Sequence, residues 1–92
     1  MDPTTFRASA FVRASVSADG LVLLDVDGGL VLASNAIGAR IWQLMEQRRT
    51  NAEIAQRLAA DYNITVERAL SDVDGFIDAL TARGLVREEP LC

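Results

Sequence analysis

The feature that most constrains this chain is a change of hydrophobic period near Ser34. Before it, apolar residues recur at intervals near two; after it, they recur near 3.6. A period of two places alternate side chains on one face of a strand, and 3.6 makes a stripe on a helix. The chain therefore reads as a strand half followed by a helix half. In residues 6–17 small and apolar residues interleave with polar ones, and Val12, Ala14 and Val16 fall on one strand face. Asp19-Gly20 is suited to the positive φ angles of a type I′ hairpin. Residues 21–25 give a second strand, Asp27-Gly28-Gly29 a second turn, and Leu30, Val31, Leu32 and Ala33 a third strand. Two successive hairpins predict a three-stranded antiparallel meander.

The helices carry their own boundary signals. Ser34 or Asn35 caps the first, which sets Ile37, Ile41, Leu44 and Met45 on one face with Trp42 beside them as a core residue. Thr50-Asn51-Ala52-Glu53 has the spacing of a capping box, and Ile54, Ala55, Leu58, Ala59 and Tyr62 form the buried stripe behind it. Thr65 caps a third helix that runs to Arg83, where Gly84 supplies the left-handed stop. Leu85 and Val86 fold back on the core, leaving residues 88–92 as a tail. Strands followed by helices on one face of a small sheet make an α+β domain. All 92 residues form one domain with a core over about 6–87.

Composition narrows the chemistry. There is no His, and the one Cys is Cys92, so His-based acid–base catalysis, the usual zinc sites and intrachain disulfides have no residues to build them. No catalytic group, cofactor or metal is expected. The start, Met1-Asp2-Pro3, lacks the features of a signal peptide, and no apolar run approaches the ~20 residues that cross a bilayer, so a cytoplasmic location and no membrane partner are expected.

Residues 50–86 also fit a winged helix-turn-helix, with a turn at Asn63-Ile64 and the third helix as reader. At 100° per residue, Val66, Ala69, Leu70, Val73, Phe76, Ile77 and Leu80 cluster on one side of that helix. Glu67, Arg68, Ser71, Asp74, Gly75, Asp78 and Ala82 lie opposite. Three carboxylates against one Arg repel the phosphates that supply most non-specific DNA affinity. No nucleic-acid partner is expected, and a DNA- or protein-binding regulator stands as the alternative function.

Three stretches resemble the PqqD-like family (coenzyme PQQ synthesis protein D), the precursor-peptide recognition elements that include stand-alone leader-binding proteins of lasso-peptide clusters. They are residues 19–25 (DGLVLLD), residues 34–42 (SNAIGARIW), similar to the family's Leu-Asn-x-x-Gly-x-x-Ile-Trp, and residues 72–80 (DVDGFIDAL) with Gly84-Leu85-Val86. Ser34 stands where the family usually has Leu. The resemblance implies a winged-helix-like fold without catalysis. It implies a partner, the leader of a ribosomally made precursor, delivered to a leader protease or a radical-SAM enzyme. It also implies that the leader adds as a strand beside the third strand, against the third helix. Leu30, Val31, Leu32 and Ala33, free of charge and Pro, would supply the edge. Ala69, Asp72, Val73 and Phe76 would supply the helix wall, with Asp72 placed to pair with a basic leader residue.

Overall fold

The computed structural model of the protein describes residues 4–26 and 29–90, apart from the side chains of Leu30 and Pro90. Its elements are β1 (Thr4–Ala8), β2 (Val12–Ser17), β3 (Gly20–Asp25), β4 (Gly29–Asn35), α1 (Ala36–Glu46), α2 (Asn51–Tyr62), α3 (Val66–Ala82) and β5 (Val86–Pro90). The expected α+β plan holds. A three-stranded antiparallel sheet, β2-β3-β4, precedes three helices. The turn residues Asp27 and Gly28, the N-terminal Met1, Asp2 and Pro3, and Cys92 lie outside the described residues.

Two expectations about the chain ends need correction. The first predicted strand is in fact two, separated at Ser9, Ala10 and Phe11, where Val12 N–H bonds to the Ser9 carbonyl. The segment after Val86 is not loose through Pro90: β5 pairs antiparallel with β1, from Ala8 against Val86 to Thr4 against Pro90. The reason is burial. Thr5 is fully buried and its hydroxyl donates to the Glu89 carbonyl at 2.7 Å. Ser9 Oγ donates to the Gly84 carbonyl at 2.6 Å, fixing the ribbon to the end of α3.

Each helix start follows its cap. Asn35 accepts from Gly38 N–H, Thr50 and Glu53 form the reciprocal capping box, and Thr65 accepts from Arg68 N–H. These side chains satisfy backbone donors that the first helical turn leaves without partners. Asn63 closes α2 in the left-handed region, and Gly84 follows α3 at φ 73°. The hairpin glycine works differently from expectation. Ser17 pairs with Gly20, so Ala18 and Asp19 form the turn, and neither has positive φ. Gly20 is required instead because a Cβ there would overlap the Ser34 carbonyl oxygen on β4.

The core lies between the inner face of the sheet and the helices. Leu21 and Leu23 of β3 meet Ile41, Trp42, Leu44 and Met45 of α1. Ile54 and Leu58 of α2 and Val73, Ile77 and Leu80 of α3 close the other side. Burying each large aliphatic side chain contributes about 1.5–3 kcal/mol. Three members of the expected stripes stay partly outside: Ile37, Tyr62 and Val66 are exposed. Each sits at a helix end, where the stripe runs past the neighbouring elements. Trp42 is core, as its position beside the α1 stripe suggests.

Candidate functional site: the open edge of β4

The strand order leaves β4 at an edge of its sheet. Its register against β3 runs Asn35–Gly20, Ser34–Leu21, Ala33–Val22, Leu32–Leu23, then Leu30–Leu24 and Gly29–Asp25. Val31 is skipped, so β4 carries a bulge there; the edge is less regular than its unbroken apolar sequence suggests. The expectation of an edge without any blunting device is corrected at this residue.

The Val31 carbonyl lies on the side of β4 away from β3, where it accepts from Arg83 Nη1 at 3.2 Å. Trans peptides and extended backbone then set the next groups. Leu32 N–H points back into the sheet, and Ala33 N–H and C=O point out of it. Side chains alternate as well. Leu32 and Ser34 lie opposite the buried Leu23 and Leu21 on the inner face, while Ala33 lies opposite the exposed Val22 on the outer face.

Two approaches hold α3 alongside β4. Near one end, Gly38 of α1 sits under both Ser34 and Phe76. A Cβ built there overlaps Ser34 Oγ and lies 2.8 Å from Ser34 Cβ and 3.3 Å from Phe76 Cε1. At the other end is the Arg83–Val31 hydrogen bond. Seven residues of helix and three of strand both span about 10 Å, so the two elements can run side by side in opposite senses. Asp72 lies one turn before Phe76 on the same margin and is exposed. The result is a trough with an open strand edge on one side and Asp72, Phe76 and Arg83 along the other.

The predicted site residues divide on this geometry. Val31 and Leu32 are half-buried against the core, Ala33 is exposed, and Phe76 is half-buried at the helix margin. Asp72 is exposed and bonds to no described residue. Ala69 and Val73 are both 0% exposed, so they are core residues and not part of a contact surface. The Leu30 side chain lies outside the described residues. Sequence reasoning missed Arg83, Ser34 and Gly38. The 100° spacing does place Arg83 on the margin of Asp72 and Phe76, but nothing in the sequence marks the Val31 carbonyl as its partner. Asp74, placed outward from the sequence, is half-buried and accepts from Asn51 Nδ2 at 2.8 Å. The outward face of α3 still presents Glu67 and Asp78 against Arg68.

Shallow hollows lie elsewhere. One of about 270 Å³ opens between β1, β5 and the start of α2, beside Phe6, Asn51, Asp74 and Glu88. The β4 trough is open along its length, a shape that fits an extended chain better than a compact small molecule. Among the described residues no His, Cys, Asp and Glu side chains group as a metal site, and no helix is long and apolar enough to cross a membrane.

The whole arrangement has close counterparts. One solved structure, "TbiB1 in Complex with the TbiA(beta) Leader Peptide", matches with a TM-score of 0.78 and 28% identity over 88% of this chain and 94% of its own. Another, "Lasso peptide synthetase B1 complexed with the leader peptide", matches with a TM-score of 0.80 and 26% identity over 89% and 96%. No curated protein sequence matches. The sequence profile of coenzyme PQQ synthesis protein D (PqqD) matches residues 20–86, from the start of β3 through all three helices to the first residue of β5, and the chain belongs to the PqqD family.

Proposed function

We infer that this protein binds the leader segment of a ribosomally made precursor peptide and delivers it to a separate processing or modifying enzyme, either a leader protease or a radical-SAM enzyme. It performs no chemistry of its own. The observation that carries this reading is the β4 edge with Ala33 N–H and C=O turned outward beside the α3 margin. A leader adds there as a further strand. Main-chain hydrogen bonds supply general affinity, and alternate leader side chains reach Leu32 and Phe76 for selectivity. Both similar solved structures are leader-peptide complexes, and each aligns over nearly nine-tenths of this chain.

About four backbone hydrogen bonds at roughly 0.5–1.5 kcal/mol each, and two buried side chains at about 1.5–3 kcal/mol each, act against the ordering of a flexible leader. Micromolar to nanomolar binding follows, roughly −8 to −12 kcal/mol. The test is a fluorescence titration with two probes, the TbiA(beta) leader and peptides selected against this protein from a randomised dodecapeptide library. Ala33→Pro removes the outward amide while leaving the bonds to β3 in place, and should weaken binding at least about tenfold with the fold intact. Leu32→Pro is its companion, because its amide faces β3 and its loss should lower stability. Unchanged affinity in folded Ala33→Pro would rule out the edge as the binding site.

A further inference from the structure

Arg83 is the end cap of α3, and Gly84 at φ 73° turns the chain away directly after it. Its guanidinium crosses to β4 and donates to the Val31 carbonyl, on the side of the edge strand away from β3. Among the described residues Arg83 has no carboxylate partner, unlike Arg7, Arg40 and Arg48. A solvent-exposed cation is thus held on a neutral acceptor, at the point where an added strand needs the same carbonyl.

We propose that Arg83 is a gate and selectivity residue of the β4 edge, which admits peptides carrying an Asp or Glu opposite Val31. This rests on the strand-addition reading above. A carboxylate binds a guanidinium in shorter, stronger, often bidentate hydrogen bonds than a carbonyl does. An arriving acidic side chain therefore draws Arg83 off Val31, and the freed carbonyl accepts a peptide N–H in its place. One displacement forms a charge-assisted contact and a main-chain contact together. A peptide with an amide at that position offers Arg83 only another neutral carbonyl oxygen, no stronger an acceptor than the one it must leave.

The other end of the trough carries the opposite sign. Asp72 lies eleven residues before Arg83 on the same helix margin, about 16 Å away along the axis. An extended peptide covers that span in about five residues. With alternate side chains on one face, the matching ligand carries its acid and a base four or six positions apart, with apolar residues over Phe76 between them. Such a dipolar segment also has only one favourable direction in the trough.

The experiment uses peptides selected against the wild-type protein from the randomised dodecapeptide library, resynthesised with each carboxylate changed to its amide. One Asp or Glu at a common position is expected, and its amide form should bind wild type about tenfold more weakly at low salt, with the difference shrinking as salt rises. Arg83→Gln, an exposed change that leaves Gly84 in place, should bind acid and amide forms alike. Arg83→Glu should reverse the preference toward a Lys at that position. Binding that Ala33→Pro abolishes but Arg83→Gln leaves with its full preference for the acid would overturn the gate and keep the edge. Failure to recover any peptide whose binding depends on Ala33 overturns both.

Discussion

The β1–β5 ribbon and the β4 edge are both short stretches of strand at the margin of the fold, and they are finished in opposite ways. In the ribbon, Thr5 is buried and hydrogen-bonded across to Glu89, and Glu89 itself receives Arg7 and Arg48, each at 2.9 Å. Arg7 and Arg87 face each other across the pair, and Arg7 is turned aside onto Glu89. At β4 the outward main chain of Ala33 lies open, and the neighbouring carbonyl of Val31 meets only a side chain, Arg83, that can leave. The lesson is that an edge held by buried and doubly paired groups is structural, whereas an edge covered by one exposed side chain is available for exchange.

This contrast can be broken from either side. The largest effect is expected at Gly20, whose missing Cβ lets β4 lie against β3. Gly20→Ala drives a methyl into the Ser34 backbone carbonyl and should destabilise by about 2–3 kcal/mol, measured by urea denaturation. Equal stability would show that β4 can move off β3, and that the edge is not a rigid template. Next is the ribbon. Thr5→Val removes the hydroxyl bonded to Glu89 and should cost about 0.5–1.5 kcal/mol while leaving peptide affinity unchanged. A parallel loss of affinity would couple the two regions.

Gly75→Ala should act in the opposite direction. Gly75 is exposed within α3, a Cβ there meets nothing within 4 Å, and nothing in the structure explains the glycine. The substitution should stabilise by about 0.8–1 kcal/mol, read as a rise in Tm.

The smallest effect belongs to Glu89. Burial pushes its carboxyl up, but the hydrogen bonds and charges of Arg7 and Arg48 outweigh this and hold it below the ordinary 4.5. A depressed carboxyl stabilises the fold fully above its unfolded value and loses that contribution as pH falls through the folded one. Amide exchange in β1 and β5 should therefore quicken relative to α2 below about pH 4, and less so in Glu89→Gln. Uniform loosening would mean that the Arg–Glu cluster does not secure the ribbon.

Most of the helical half was legible in the sequence, because its signals are local. Asn35, Thr50, Thr65 and Gly84 each act within a turn of where they stand. The ribbon was not, because Phe6 pairs with Glu88, more than eighty positions away, and no local pattern in 86–90 announces a partner at that distance. The site was half legible. An edge strand and a helix margin followed from periodicity, and Phe76, Asp72 and Ala33 stand where that reasoning put them. Ala69 and Val73 did not, since packing of α3 against α2 covers a wider arc than spacing alone reveals. The bulge at Val31 depends on the β3 register, and the Arg83–Val31 hydrogen bond on how α3 lies beside β4, so neither shows in the local sequence.

The antiparallel pairing of Thr4 with Pro90 has one more consequence. Antiparallel neighbours lie about 5 Å apart, so the polypeptide enters and leaves this fold at nearly the same point. A unit wired in this manner can be spliced into a surface loop of a larger host, or tethered at either extremity, without stretching its scaffold. The entry and exit lie on the ribbon, while the candidate trough is built from β4 and α3. Grafting onto another polypeptide therefore leaves the trough's own elements untouched, and the length of the tether sets how far the trough stands from its host.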